Sequence, residues 1–276
     1  MSDKAAATVA KNSIWLIAQP LALSIISLFV VGFVARTLGP NDYGIFVFAF
    51  AFTTLFRPII NMGLRALTVR TIAEEKIGSD EYLGQMLVLR FLLGVIAIGL
   101  VFAGLIIFKY SGITVAITLI ASITLLLQSL TSVFHDSFQA HETMRHVAVS
   151  QFVSGIMTSA LTILVMLLGY GLYELVVVYV LGNLITLLMS IYYQWKHFKL
   201  PPLSINLGVF FQSLKKGFPF FVPMILNVIN GRFGLLLLSK FGTNSTVATY
   251  GAATNLTDKL LVVPEGLGAS IFPTMA

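Results

Sequence analysis

Apolar residues fill runs of about twenty positions along the chain, separated by short polar breaks that carry glycine, proline or charge. About twenty apolar residues is the length an α-helix needs to cross roughly 30 Å of hydrocarbon. Spans are therefore predicted near Ile14 to Ala35, Tyr43 to Leu67, Leu87 to Phe108, Ile113 to Phe134, Val147 to Leu168, Leu172 to Tyr193, Phe218 to Leu238 and Val247 to Leu267. Open sheet in lipid leaves backbone groups unpaired, and these runs are too long for barrel strands. The expected fold class is an all-α polytopic membrane protein of about eight transmembrane helices. The first run is too long for the apolar region of a cleavable signal peptide, and a second span follows almost at once.

Composition fits this reading: 57% of the 276 residues are hydrophobic and 10% charged, with a mean hydropathy of +0.93. A soluble chain of this size carries about 25% charged residues. The absence of cysteine removes disulfides, thiolate metal sites and cysteine nucleophiles. The net charge of +6 is explained by topology, so no nucleic-acid partner is expected. Eleven of the 17 Lys and Arg fall on one side, before helix 1 and in the 2–3, 4–5 and 6–7 links, with Arg90 counted as flanking the 2–3 link. Arg36, Lys109 and Lys240 mark the other side. The excess predicts a cytoplasmic N-terminus, with some attraction to anionic membrane lipid.

The link around Pro201 and Pro202 is the one stretch with linker character. It divides the chain into a first lobe of six helices (1–200), a cytoplasmic linker (201–216) and an incomplete second lobe (217–276). Helix 7 restarts the pattern of helix 1: Pro20 stands to Leu38-Gly39 as Pro223 stands to Phe241-Gly242, and Tyr43-Gly44 and Tyr250-Gly251 open the following helices. Two six-helix units related in this way would be parallel repeats. One complete lobe plus two helices, ending without a polar tail, suggests a truncated chain or gene fragment.

A charge near the bilayer centre costs about 2.5 to 3.5 kcal/mol on insertion scales, so Arg57, Arg232 and Lys259 each mark a candidate site. In helix 2, Thr53 or Thr54, Arg57, Asn61 and Arg65 recur at helical spacing as one polar stripe, with Pro58 able to kink the helix beside Arg57. Either the stripe faces a water-filled cavity and binds an anionic group, or Arg57 pairs with another helix and Arg65 is topogenic. In helix 7, Pro219, Pro223, Asn227 and Asn230 share a face, as expected of a gating or hinge element. Asp258 and Glu265 are candidates for coupling a proton or Na+, or alternatively neutralise Arg57 or Arg232.

Enzyme signatures are absent. His141-Glu142-Thr143-Met144-Arg145-His146 has its histidines five apart, where a zinc-protease helix needs four. No P-loop and no nucleophile elbow occur. No catalytic residue, metal or cofactor is expected, and the chain is read as a non-enzyme.

The segment Ala35-Arg36-Thr37-Leu38-Gly39-Pro40-Asn41-Asp42-Tyr43-Gly44 resembles the polysaccharide transporter family. So do Asn12 and Trp15, Gly63-Leu64 ahead of Arg70-Thr71-Ile72-Ala73, Phe138-Gln139-Ala140 before Met144-Arg145, and Lys215-Lys216-Gly217-Phe218-Pro219. That family includes the Wzx-type O-antigen flippases of the MOP superfamily. The resemblance implies a flippase that passes undecaprenyl-pyrophosphate-linked oligosaccharide across a bacterial inner membrane. It would work by ion-coupled alternating access around a cationic cavity, alongside other polysaccharide-assembly proteins. Arg57 would attract the pyrophosphate, with Asn61, Arg65, Arg232 and Lys259 as further cavity residues. Alternatives are a cation-coupled multidrug exporter of the same superfamily and a non-transporting scaffold or inactive fragment; a glycan polymerase or ligase is disfavoured by the short outside loops.

Overall fold

The computed structural model describes residues 3–74, 79–110 and 112–258, with residues 3–21 and 79 described by their backbone alone. These residues form an all-helical, multi-pass membrane fold. The helices are α1 (Asp3–Thr54), α2 (Arg57–Asn61), α3 (Leu64–Glu74), α4 (Ser79–Ile107), α5 (Ile113–Ala140), α6 (Met144–Leu167), α7 (Leu172–His197) and α8 (Leu207–Phe241). A further helix, α9, covers 244–258. Lys259 and Glu265 lie outside the described residues.

The first two predicted spans meet without a loop. α1 is two helical arms joined at Gly39, whose φ of 74° and ψ of 170° turn the chain within one residue. Only glycine adopts this backbone readily, and Pro40 starts the second arm where a missing N–H costs nothing.

The predicted second helix is not continuous. Its first arm ends at Thr54, because Pro58 has no N–H to bond the Thr54 carbonyl. Tighter bonds from Leu55 N–H to Phe52 O (3.2 Å) and Phe56 N–H to Thr53 O (3.1 Å) close the turn. Pro58 then sits in the first turn of α2 instead of kinking a helix interior. A second break follows at Met62 and Gly63, both left-handed with φ of 39° and 68°. The stripe expected on one helix is thus distributed over three helical pieces.

Several helices are longer than their apolar runs. α4 begins at Ser79 and α5 continues to Ala140, so Arg90 lies well inside α4 and is no longer a link residue. α8 begins at Leu207 within the linker region, capped by Asn206, whose side chain accepts from Gly208 N–H and Val209 N–H. Pro219 and Pro223 are accommodated inside α8.

α5 sits centrally, packed against α1, α3, α4, α6 and α7. The main core includes Ala49, Ala97, Val101, Leu105, Ile117, Ala121 and Leu175, all fully buried. Outward-facing Ile96, Phe102, Ile106, Leu164, Leu167 and Leu188 are exposed, as expected of surfaces that meet lipid.

Candidate functional site

At the end of the bundle where α3, α5 and α6 meet, a cavity of about 760 Å³ opens between these helices, α2 and α8. Three of the sequence candidates meet there: Arg57, Asn61 and Arg65 all line it. The break at Pro58 and the turn at Met62-Gly63 do not separate them, because each short piece turns its polar residue to the same volume. Thr53 and Thr54 are not part of it: Thr53 is buried and Thr54 donates back to Phe50 O at 2.7 Å.

Arg57 is exposed, and its guanidinium meets no carboxylate or hydrogen-bond acceptor among the described residues. The reading in which it pairs with another helix therefore finds no partner there. Arg65 is held differently. Its Nε and Nη2 donate to Gln139 Oε1 at 3.2 and 2.9 Å, and its Nε lies 3.9 Å from Asp136 Oδ1.

Asp136 is buried and belongs chiefly to Arg90, whose Nη2 donates to Asp136 Oδ2 at 2.5 Å. Arg90 also donates to the Ser132 hydroxyl, and Ser129 donates to the Arg90 carbonyl at 2.6 Å. Arg90 is completely buried, so this pair is a structural wall of the cavity that fixes α4 to α5. Arg70, at the cavity mouth, is engaged with Glu74 at 2.8 Å. Among the described residues two carboxylates, Asp136 and Glu74, thus face four guanidinium groups, Arg57, Arg65, Arg70 and Arg90, so the cavity presents a net positive surface to whatever enters, with Arg57 the arginine that has no partner.

The other candidates lie elsewhere. Arg232 and Asp258 form an ion pair at 3.1 Å between α8 and α9, and neither lines the cavity. Pro58 is buried in α2. Pro223, Asn227 and Asn230 are exposed on α8, where it is Phe220 and Met224 that reach the cavity.

His135, Asp136, Gln139 and Gln151 are cavity residues that sequence reasoning missed. The signal was present as Gln128, Ser132, His135 and Gln139 at helical spacing. It was hidden because the apolar run ends at Phe134, although the helix does not.

At the opposite end the helices close. Tyr110 and Ser239 share a hydrogen bond of 2.7 Å, and Asn244 donates to Asn41 Oδ1 at 2.8 Å. Lys240 donates to the Phe108 carbonyl and sits 4.6 Å above the Tyr110 ring. A Cβ on Gly44 would lie 2.0 Å from the Asn244 carbonyl oxygen, so the second arm of α1 and the start of α9 are in backbone contact.

Comparison with known proteins gives three findings. The sequence profile of a family described as "Polysaccharide biosynthesis protein" matches residues 9–276. The "Putative O-antigen transporter" of Shigella flexneri is 23% identical over 284 aligned residues, covering 98% of this chain and 67% of that protein. Two solved structures share the fold at 17% identity. One is an inward-facing multidrug resistance MATE family transporter of the MOP superfamily, with a TM-score of 0.63 over 87% of this chain and 60% of that one. The other is a eukaryotic MATE transporter, with a TM-score of 0.64 over 95% of this chain and 62% of that one. The chain thus spans about three fifths to two thirds of the length of these proteins.

Proposed function

Because the chain belongs to the polysaccharide biosynthesis protein family, we propose that it is a lipid-linked oligosaccharide flippase, or the N-terminal portion of one. Its substrate would be an undecaprenyl-pyrophosphate-linked glycan, moved by alternating access across a bacterial inner membrane. The observation that carries this reading is Arg57: a guanidinium without a partner among the described residues, lining a cavity of about 760 Å³. Two phosphates cannot enter hydrocarbon uncompensated, and a guanidinium offers planar, charge-assisted donors to phosphate oxygens. The polyprenyl tail can remain in lipid while the head group occupies the cavity.

The charge bias of the links assigns the open end to the cytoplasm. The chain would then be poised to receive substrate from inside, with the Tyr110–Ser239 end shut. Coupling to a proton or Na+ would fall to Asp258, whose partner Arg232 an incoming ion would replace; Glu265 and Lys259 are further candidates. Partition of the chain into a first lobe and the beginning of a second fits the closed contacts between α1 and α8–α9.

Multidrug export is supported less well. A cavity for cationic drugs needs unbalanced carboxylates, whereas the one cavity carboxylate described, Asp136, is held by Arg90 and Arg65.

The test is Arg57→Gln. Binding of a polyprenyl pyrophosphate to the purified protein should weaken about tenfold or more, with Arg57→Lys intermediate and membrane insertion unchanged. Unaltered binding and unaltered glycan export by Arg57→Gln would remove Arg57 from this role.

A further inference from the structure

Between α1, α6 and α7 lies a second concavity of about 250 Å³. Its described polar lining is uncharged: Ser27 from α1, Ser154, Thr158, Ser159 and Thr162 from α6, and Tyr179, Asn183 and Thr186 from α7. Most of these groups donate to their own helices. Ser27 donates to Ser24 O (2.8 Å), Thr158 to Ser154 O (2.7 Å) and Asn183 to Tyr179 O (2.8 Å). With its proton committed, each of the Ser27 and Thr158 hydroxyls turns only oxygen lone pairs to the groove, while Asn183 keeps one N–H donor.

Thr162 breaks the pattern. It is completely buried, yet its Oγ1 has no hydrogen-bond partner among the described residues. A buried hydroxyl is unfavourable without a partner, and this one lies in the wall of a concavity.

The groove follows the cationic cavity along the same helix faces. Along α6, Val147 and Gln151 line the cavity, and Ser154, Thr158 and Thr162 line the groove. At about 100° per residue these five positions share one face of the helix. On α5, Ser132, His135 and Gln139 line the cavity, and Gln128, on the same face, donates to Asn183 Oδ1 of the groove at 3.1 Å. From Gln151 to Thr162 the helix rises about 16 Å.

We infer that this groove is a subsite for neutral sugar residues, reached by the glycan of a ligand whose anionic group sits at Arg57. The inference rests on the anion-binding reading above and extends it. A wall of hydroxyl acceptors that also holds uncommitted hydroxyls suits a polyol, which brings many O–H donors and some acceptors. A metal cation fits less well, since no carboxylate lines the groove to balance its charge. The order along α6 is that of the ligand: the cationic cavity beside one end, uncharged hydroxyls toward the other.

The test compares two probes on the purified 276-residue chain by calorimetry: a short-chain polyprenyl pyrophosphate bearing a neutral disaccharide, and the same lipid without sugar. The wild type should bind the glycosylated lipid about tenfold more tightly. In Thr158→Val with Thr162→Val that ratio should fall to near one, whereas Thr162→Ser, which keeps the hydroxyl, should retain it. If the double variant fails to insert, Ser27→Ala carries the test, with the ratio falling about two- to threefold. Equal wild-type affinity for the two lipids, or an unchanged ratio in the variants, overturns the subsite and leaves the Arg57 reading standing. A wild type that binds neither lipid overturns both.

Discussion

The two ends of the bundle use polar groups in opposite ways. At the α3–α5–α6 end, Arg57, Asn61 and Gln151 surround open volume, and Arg57 has no described partner. At the Gly39 end, Tyr110, Ser239, Lys240, Asn41 and Asn244 are used up on one another across helices. A polar group inside a membrane must be satisfied by protein or by something admitted from outside. The satisfied end is a closure, and the unsatisfied end is where the proposed ligand would be admitted. The buried Arg90–Asp136 pair shows that charge alone does not decide which is which. It lies beside the cavity, but its charges are spent within the wall.

Several substitutions would break or sharpen this contrast. Asp136→Ala, which strands a fully buried Arg90, should destabilise the protein by about 3 to 5 kcal/mol, read as lost yield and a lowered melting temperature in detergent. Arg90→Met combined with Asp136→Leu should recover most of that loss, because an apolar pair leaves no charge behind. Gly217→Ala comes next. Its Cβ would lie 2.1 Å from the Met62 carbonyl oxygen, so prising α8 from the α2–α3 turn should cost about 1 to 3 kcal/mol in the same measurement.

At the closed end, Lys240→Met removes a hydrogen bond and a cation–π contact, together about 1 kcal/mol. The chain has no cysteine, so Asn41→Cys with Asn244→Cys gives a background-free pair whose oxidative cross-linking should fall severalfold in Lys240→Met. The smallest effect belongs to Arg70→Gln. Its exposed i,i+4 pair with Glu74 contributes at most about 0.5 kcal/mol, so the melting temperature should hardly move.

Much of this was legible in the sequence. The apolar runs located the spans, and the spacing of Arg57, Asn61 and Arg65 identified one wall of the cavity, because helical periodicity survives short breaks. What was not legible depended on residues beyond the apolar runs. α5 carries its polar face past Phe134, so Asp136 falls beyond the predicted span, and Arg90, counted as flanking the 2–3 link, is instead its buried partner within α4. Hydropathy reports where lipid ends, not where hydrogen-bonded helix ends. The break at Thr54 could be anticipated from Pro58 as a bend, but the second at Met62-Gly63 follows from the close approach of α8: a Cβ on Gly63 would lie 2.4 Å from the Gly217 carbonyl oxygen. The pairing of Arg232 with Asp258, two of the residues proposed for the site, is a tertiary fact that spacing within either helix does not contain.

The single-residue bend at Gly39 has a mechanical meaning. A flexible loop between two helices is slack, and slack lets one helix move while its neighbour stays still. Here the two arms of α1 are joined with none, and Pro40 stiffens the start of the second. Torque on one arm would pass directly to the other, so any opening of the Gly39 end under the proposed alternating access would proceed by rotation of whole helices, a collective motion of microseconds to milliseconds, and not by the nanosecond flicker of a loop.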